Sequence, residues 1–461
     1  MSLLRFVPNA LVHCALFSIL AYKIHKMSVV LPFIWLIVFL FLIWKLPFFK
    51  LQGIATWVIF AIFAGKLAAS GVLHYIYTNY YPDRATADIF KYFDDAVVLF
   101  HSLHQSVEDF FRILFGINCD TPEMFHYFRD TNHWTRMYEY APFLDNRLII
   151  RTNMILLFVS GGNIAVHYMF ANFISLIGFL LIYKTFESFY GKNILALLFI
   201  TMMPSSVLWT AGILKECLAT FALGCATYGF FYCARKHLCF STICCFLIGL
   251  LLLVVLKFYI LVAFVPAVIA WIFVEKCNVK QKLLCYTSFY LIGILVIGTL
   301  DFGTHTIPFF ESFAGKRTDA INSAILYNAQ SIIPIEKIDV TVWNFLQATP
   351  EAVWNALALP YVWDIHGFVQ LVPALESILF FILLILWILY PIQPDESQRN
   401  FILFCVFFSF VLMWEIGIST AVVGGIVRYK IPIFPFLYTT IALLIDWKKF
   451  TKFVFAITTR K

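Results

Sequence analysis

The chain alternates between long apolar runs and short polar connections. Runs of about 16–25 apolar residues are near the length needed to cross ~30 Å of hydrocarbon. We predict membrane spans at 8–22, 28–46, 52–77, 163–184, 193–209, 212–233, 239–256, 259–275, 283–300, 371–391, 399–420 and 430–446. The pattern therefore predicts an all-α polytopic integral membrane protein of about 12 transmembrane helices, with residues 1–461 forming a single transmembrane domain.

Two long polar stretches, 78–162 and 301–370, interrupt this series of spans. Within the first stretch, the run RLIIRTNMILLFVS at 147–160 is short and carries two arginines. Such a run favours a helix that lies in the membrane interface over a helix that crosses the membrane. We expect short interfacial helices in the first loop, and we expect the second loop to cover the same face of the protein.

Composition agrees with a membrane protein and argues against a soluble one. The 461 residues are 62% hydrophobic and only 13% charged, and 52 of them are Phe. Soluble domains are nearer half apolar and a quarter charged. The 11 cysteines show neither a disulfide framework nor metal-ligand spacing, so most of them are expected to be small buried apolar residues.

The basic residues of the short loops predict the orientation of the chain. Short loops rich in Lys and Arg face the cytoplasm. Basic residues of this kind include Lys45, Lys50, Lys184, Lys192, Arg235, Lys276, Lys280, Lys282, Arg399 and Lys448. We therefore expect both termini on the cytoplasmic side and both long loops on the outer side. The net charge of +7 is accounted for by this face and requires no nucleic acid partner.

Several ionisable residues lie at the outer ends of predicted spans, where burial in hydrocarbon would cost a few kcal/mol or more. Lys215 and Glu216 lie in PSSVLWTAGILKEC, and Lys257 interrupts LLLVVLKFYILVAF. Arg428 and Lys430 lie in VVGGIVRYKIPIFPF. Asp88, Asp94 and Asp95 lie in TADIFKYFDDAVVLF. Four separate regions thus place charges at one depth, which predicts one outward-facing pocket.

The residue types suggest phosphate chemistry in that pocket. Arg binds phosphate oxygens bidentately and Lys acts as a point charge, so Lys215, Lys257, Arg428 and Lys430 are candidate phosphate ligands. A carboxylate could accept a proton from an attacking hydroxyl. A phosphate held at the membrane surface belongs to a lipid, and the combination fits sugar transfer from a polyprenyl-phosphate carrier.

Each of these signals also has a purely structural explanation. Lys215 and Glu216 could neutralise each other at a helix start, and the cations could anchor in the head-group region. The run DIFKYFDDA could be an amphipathic surface helix with Asp on its wet side. For Lys66, which lies deep in a span, Asp88 is one candidate partner. His101 and His104, near Glu108, could bind metal or simply belong to a solvated loop.

The layout resembles the GT-C glycosyltransferases, polytopic enzymes that use polyprenyl-phosphate sugars outside the cytoplasm. The resemblance implies that DIFKYFDDA matches the acidic motif of their first external loop, so that Asp94 or Asp95 acts as general base, with Asp88 as an upstream candidate. The segment NRLIIR resembles the Arg-bearing approach to the next span. PSSVLWTAGILKE and GGIVRYKIPIFPF resemble segments of bacterial surface-polysaccharide membrane proteins, where basic residues hold the carrier phosphate.

On this basis we expect an inverting glycosyltransferase in a bacterial inner membrane that faces the periplasm. Its partners would be a polyprenyl-phosphate or pyrophosphate sugar, a glycan or lipid acceptor, and membrane lipids. The mechanism needs no cofactor, and a divalent metal between the carboxylates is an alternative. Two other functions fit the same pattern. A polymerase or ligase of lipid-linked polysaccharide would use aromatic residues of 301–370 such as Trp343, Trp354, Tyr361 and Trp363. A transporter or flippase would use the spans themselves.

Overall fold

The protein is an all-helical membrane protein. The computed structural model describes residues 29–80, 84, 87–135, 145–235, 238–277, 279–303, 308–365 and 367–458. Within these residues, seven helices are long and apolar enough to cross a membrane, and the number is eight if one bent helix pair counts as a span. The described residues divide into two compact units. Those between 29 and 135, together with 145–174 and 210–217, form the first unit, and 175–209 together with those between 218 and 458 form the second.

The helices of the first part of the chain are α1 Val29–Lys45, α2 Thr56–Tyr80, α3 Asp88–Phe100, α4 Val107–Phe115, α5 Phe125–Phe128, α6 Asp145–Ser160 and α7 Ile164–Tyr190. They are followed by α8 Ile194–Thr201, α9 Pro204–Trp209, α10 Lys215–Arg235, α11 Phe240–Leu256, α12 Phe258–Lys276 and α13 Lys282–Gly298. The remaining helices are α14 Phe309–Leu326, α15 Val342–Ala358, α16 Phe368–Leu389, α17 Glu396–Ser419, α18 Val423–Tyr429, α19 Thr439–Leu443 and α20 Trp447–Thr458.

Most of the predicted spans correspond to helices of suitable length. Seven of them match α2, α7, α10, α12, α13, α16 and α17. The predicted spans 28–46 and 239–256 match the 17-residue helices α1 and α11, which are shorter than the long spans. The predicted span 8–22 lies outside the described residues.

Two predicted spans are not continuous helices. The segment 193–209 is divided into α8 and α9 at Met202, because Pro204 lacks the N–H that would continue the helix. The segment 430–446 begins after α18, and the helices on either side of the break differ in direction by 60°. A π-helical turn, Phe434–Tyr438, starts the second arm and contains Pro435. Counting apolar residues detects such runs but not the breaks within them.

The two long polar regions also contain helices. The region 78–162 forms α3, α4, α5 and α6, and the region 301–370 forms α14 and α15. The run 147–160 lies within one helix, α6, and the expectation that this helix lies in the membrane interface stays a prediction. Helix α4 is well terminated, with Ser106 capping its first turn and Gly116 in the left-handed conformation at its end.

In the first unit, aromatic rings hold α1, α2 and the beginning of α7 together. The ring of Phe39 stacks on Phe173 at 4.5 Å and meets Phe63 edge-on at 6.1 Å. A second anchor joins α6 to the preceding loop. There Arg147 donates to the Trp134 carbonyl at 3.1 Å and pairs with Asp120 at 2.8 Å. This guanidinium lowers the pKa of Asp120 below its ordinary value of 3.8.

In the second unit, α17 is the central helix and packs against α12 and α15. Phe401 and Phe404 of α17 contact Phe231 of α10 with ring centroids 5.2 and 5.0 Å apart. Close approach requires glycine at Gly417, since a Cβ there would lie 1.9 Å from the carbonyl oxygen of Ala352 on α15. The second loop is tied to the chain before α18, where the Ile333 amide donates to Ala421.

Candidate functional site

The three predicted aspartates of the first unit lie on α3 in different environments. Asp94 accepts a bidentate pair of hydrogen bonds from Arg84, at 2.7 and 2.8 Å. Its side chain keeps 31% of its surface exposed, compared with 23% for Asp88. Asp88 forms an ion pair with Lys91, one turn further along the same helix. Asp94 therefore presents the most accessible carboxylate of the three.

Asp95 is an anchor for the loop that follows. The residue is 1% exposed, and its two oxygens accept hydrogen bonds from the backbone amides of Asn132 and His133, both at 2.7 Å. Burial raises the pKa of Asp95, while the amide hydrogen bonds act in the opposite direction. The buried carboxylate holds residues 132–133 against α3, and this contact explains its position without any catalytic role.

Lys215 and Glu216 begin α10 and are both buried. The ammonium of Lys215 forms an ion pair with Asp145 at the start of α6, with N and O 2.5 Å apart, and lies 5.8 Å from the ring of Tyr92. The charge that the sequence leaves at this helix end is thus neutralised by an acid 70 positions away. Glu216 is 5% exposed.

Lys66 belongs to a buried polar network in the first unit. Its ammonium donates to the Thr210 hydroxyl at 2.7 Å. One turn along α2, Ser70 donates to the carbonyl of Ala211 at 2.9 Å, and Asn172 donates to Ser70 at 2.6 Å. These bonds supply Lys66 with a polar environment inside a span, whereas Asp88 is paired with its own helix.

In the second unit, the structure brings Lys257 together with the segment around Arg428. Lys257 separates α11 from α12, and its ammonium lies 4.6 Å from the ring of Tyr429 and 5.8 Å from that of Tyr259. Arg428 lies in the last turn of α18, with its guanidinium 5.8 Å from the ring of Trp209. Both cations are half-buried among aromatic faces, which favour cations. We call these five residues the cationic–aromatic cluster.

Lys430 follows this cluster but is buried, with 3% of its surface exposed. Its ammonium donates to the carbonyl of Leu359 at 3.0 Å and to Ser377 at 3.4 Å. Glu376, also 3% exposed, attracts Lys430 electrostatically and accepts hydrogen bonds from the amide and hydroxyl of Ser205. The opposite charges of Glu376 and Lys430 thus neutralise each other inside the protein and connect α9, α16 and the start of the last span.

Shortly after Leu359, whose carbonyl accepts the hydrogen bond from Lys430, Tyr361 and Trp363 form an aromatic platform. The rings of Tyr361 and Trp363 are nearly parallel, at 11° and 4.9 Å, and Trp354 donates to the Tyr361 hydroxyl at 2.7 Å. Trp363 is 79% exposed. Asp364, which is also exposed, ends the short helix Val362–Asp364 that carries Trp363. An open aromatic face beside a carboxylate is suited to the apolar face and hydroxyl groups of a sugar.

Two acidic residues inside spans are absent from the predicted site. Glu376 lies in α16, and Glu415 lies in α17 with 1% of its surface exposed. Within the part of the chain that the structure describes, neither oxygen of Glu415 has a hydrogen-bond partner, and Lys316 of α14 attracts it electrostatically. Burial lowers the pKa of Lys316, and Glu415 opposes that shift. Each of the two glutamates is a lone acid within a predicted apolar span, 371–391 or 399–420, and this pattern could have identified both from the sequence.

The predicted site residues therefore fall into two groups. Asp88, Asp94, Asp95, Lys215 and Glu216 belong to the first compact unit, and Lys257, Arg428 and Lys430 belong to the second. Within the second unit, two of the four predicted regions meet at Tyr429. The prediction of one pocket that joins all four regions stays a prediction.

The two histidines proposed as alternative metal ligands, His101 and His104, have ring centroids 6.2 Å apart. Among the residues that the structure describes, no group of three or more His, Cys, Asp or Glu side chains is arranged to hold a metal ion. Comparison with known proteins found no matching family model, no similar curated protein and no similar solved structure.

Proposed function

We propose that this protein is a membrane glycosyltransferase that takes a sugar from a polyprenyl-phosphate or pyrophosphate carrier and transfers it to an acceptor on the outer side. The observation that supports this most is the cationic–aromatic cluster of the second unit. There, Lys257 lies 4.6 Å from the ring of Tyr429, which follows Arg428 in a distant region of the sequence, and the guanidinium of Arg428 lies 5.8 Å from the ring of Trp209. A lipid phosphate is the anion most available at such a position.

In this proposal Lys257 and Arg428 hold the carrier phosphate. Arg donates two hydrogen bonds in a fixed plane, and Lys adds a positive charge that can follow the phosphate. Both stabilise the charge that grows on the phosphate as the glycosidic bond breaks. Lys430 has a supporting role, since its ammonium is already bound to Leu359 and Ser377.

The acceptor hydroxyl must lose a proton during the transfer. Among the aspartates predicted as the base, Asp94 is the most exposed, and we assign the role to it. Asp364 is the exposed carboxylate next to the aromatic platform of the second unit and is the alternative base. A single base and no covalent nucleophile would give inversion at the anomeric carbon.

The aromatic platform favours a growing glycan as acceptor, which is the polymerase or ligase form of the proposal. Tyr361 and Trp363 stack on each other, the exposed Trp363 offers an aromatic face to a sugar ring, and Trp354 donates a hydrogen bond to Tyr361. Changing Trp363 to Ala should therefore shorten the glycan made by a polymerase. In a transferase that adds one sugar to a lipid acceptor, the same change should leave glycan length unaltered.

The orientation remains part of the proposal. About 12 spans, with both termini in the cytoplasm, would place Lys257 and Arg428 toward the periplasm of a bacterial inner membrane. Cysteine labelling at Lys50 and at Trp363 tests this arrangement. A membrane-impermeant reagent should label position 363 in intact spheroplasts and should label position 50 only after lysis.

The main experiment measures binding of a carrier. Purified protein in nanodiscs is titrated with undecaprenyl phosphate, and the variants Lys257→Gln and Arg428→Gln are compared with Lys50→Gln, which removes an exposed cation elsewhere. Losing one hydrogen bond to a charged group should weaken binding roughly 10- to 100-fold. Equal affinity in all four proteins would refute the phosphate site.

Surface glycans of cells that carry the variants test the reaction itself. Asp94→Asn or Asp364→Asn should abolish the product while carrier binding stays intact. If both variants produce normal glycans at normal protein levels, the proposed base is wrong.

Glu415 supports a second candidate function, a transporter or flippase. A buried carboxylate within a span, with its oxygens in contact with no hydrogen-bond donor of the described residues, is a recurring feature of ion and proton pathways. Movement of a fluorescent polyprenyl phosphate across liposomes should then depend on Glu415 and be lost in Glu415→Gln. Full glycosyl transfer by that variant, without lipid movement in the native protein, would exclude this candidate.

A further inference from the structure

A cavity of about 640 Å³ opens at one end of the second unit. It lies where α13 and α17 begin and where the chain turns after α16. Its lining residues are Lys280, Lys282, Leu283, Trp387, Glu396 and Arg399, among others. The cavity shares no residue with the cationic–aromatic cluster. Lys257 precedes α12 and Lys282 follows the end of that helix, so a 19-residue helix, about 28 Å long, lies between them in the chain.

The polar side of this cavity is positively charged. Lys282 and Arg399 share the carboxylate of Glu396, each with N and O 2.9 Å apart. Lys282 also donates to the backbone carbonyl of Glu396 at 2.6 Å. The cavity lining thus carries three cations, with the exposed Lys280 as the third, and one carboxylate. The excess of positive charge favours an anionic ligand.

The other side of the cavity is apolar and continues onto the surface of a span. Leu283 and Leu284 are 62% and 60% exposed, and Trp387 and Ile392 are also exposed. Helix α13 is the span with the least buried surface, since only 6% of its most apolar window is buried. An anion bound here therefore lies beside a strip that acyl chains can cover.

The terminal helix α20 indicates the depth of the head groups at this end. It carries Lys448, Lys449 and Lys452 together with the exposed Phe453 and Phe455. A short helix with basic and aromatic residues of this kind lies in the plane of the interface. The Tyr390 carbonyl just after α16 accepts a hydrogen bond from the Asp446 amide at 2.8 Å, which places α20 next to the cavity rim.

From these observations we infer that the cavity between α13, α16 and α17 binds an anionic phospholipid, with its phosphate at Lys280, Lys282 and Arg399 and its acyl chains along α13. Basic pockets between membrane helices recognise anionic head groups in this way. The inference is independent of the proposed transferase activity, because none of these residues belongs to the site proposed for the carrier.

Native mass spectrometry of the full chain in a neutral detergent tests the inference. Phosphatidylglycerol, phosphatidylcholine and inorganic phosphate are added separately. We expect retained phosphatidylglycerol, little phosphatidylcholine and no retained inorganic phosphate. The double variant Lys282→Gln/Arg399→Gln should bind phosphatidylglycerol roughly 30-fold more weakly. The matched control Lys50→Gln/Lys192→Gln removes two exposed cations elsewhere and should bind like the native protein.

A second variant keeps the test valid if the double variant does not fold. Lys280 lies outside the helices and is exposed, so Lys280→Gln should preserve the structure and weaken binding about fivefold. Equal retention of both lipids would overturn the inference, as would an equal loss of affinity in the control. Retention of inorganic phosphate alone would replace the lipid with a soluble anion.

Discussion

Removing the carboxylate of Asp95 should release the loop at residues 132–133. The side chain accepts two backbone hydrogen bonds while it is almost fully buried. A hydrogen bond to a charged group contributes about 1.5–3 kcal/mol, so Asp95→Ala should lower the local free energy of opening by about 3–6 kcal/mol. Asp95→Asn keeps one acceptor oxygen and should lower the free energy of opening by about half as much. Either loss is a large part of the 5–15 kcal/mol by which a typical domain is stable.

Hydrogen exchange at the amides of Asn132 and His133 measures this effect directly, because these amides are the donors. A loss of about 3 kcal/mol corresponds to exchange roughly 100-fold faster. The matched control is Asp94→Asn, which removes the neighbouring carboxylate. Its ion pair with Arg84 is largely exposed and should contribute only about 0–1 kcal/mol.

The two variants also separate the structural role of Asp95 from the catalytic role proposed for Asp94. We expect Asp95→Asn to accelerate exchange at residues 132–133 and Asp94→Asn to leave it unchanged. Native protection in Asp95→Ala would refute the anchor role. Faster exchange in Asp94→Asn, equal to that in Asp95→Asn, would show that the whole start of α3 had loosened, and the comparison would then not single out Asp95.

Three further predictions follow from single contacts. Because Arg147 lowers the pKa of Asp120, this pair stabilises the fold above pH 3.8, and the stabilisation is lost as pH falls through the lower pKa of the folded state. The melting temperature of Asp120→Asn should therefore depend less on pH than that of the native protein between about pH 6 and about pH 3. Gly417→Ala should lower the melting temperature, at a cost of about 1–3 kcal/mol or more. In the control Gly424→Ala, the added Cβ meets no atom within 4 Å, so the melting temperature should stay unchanged. Glu376→Gln should destabilise the second unit by about 3 kcal/mol in chemical denaturation, since it leaves a buried cation uncompensated; unchanged denaturation would argue against that role.

The long helices were predictable from the sequence because hydrocarbon imposes a length on every continuous span. Where the chain keeps a full apolar run, as in α10, α12 and α17, prediction and structure agree within a few residues. Where local chemistry interrupts the run, they do not. Pro204 divides one predicted span, and the break before Phe434, which contains Pro432, delays the helix in another. The count of apolar residues is unaffected by either.

The candidate site was predictable only in part, because charge position along the chain does not identify a partner. The proximity of Lys257 to Tyr429 agrees with the expectation that these regions meet. The pairing of Lys215 with Asp145 depends on packing across 70 positions and left no local signal. Glu376 and Glu415 could have been predicted, because each is a single acid in an apolar run. As for Lys66, a charge buried in hydrocarbon is costly and therefore needs a polar partner.

The bent last span has a consequence for how the protein assembles. From Lys430 to Ile445, almost every residue is buried by protein, including the whole π-helical turn. A backbone bent by 60° leaves amide groups that lipid cannot satisfy, so this segment needs surrounding helices already in place. A chain without residues 430–445 would therefore lack the segment that packs between α8, α16 and α17.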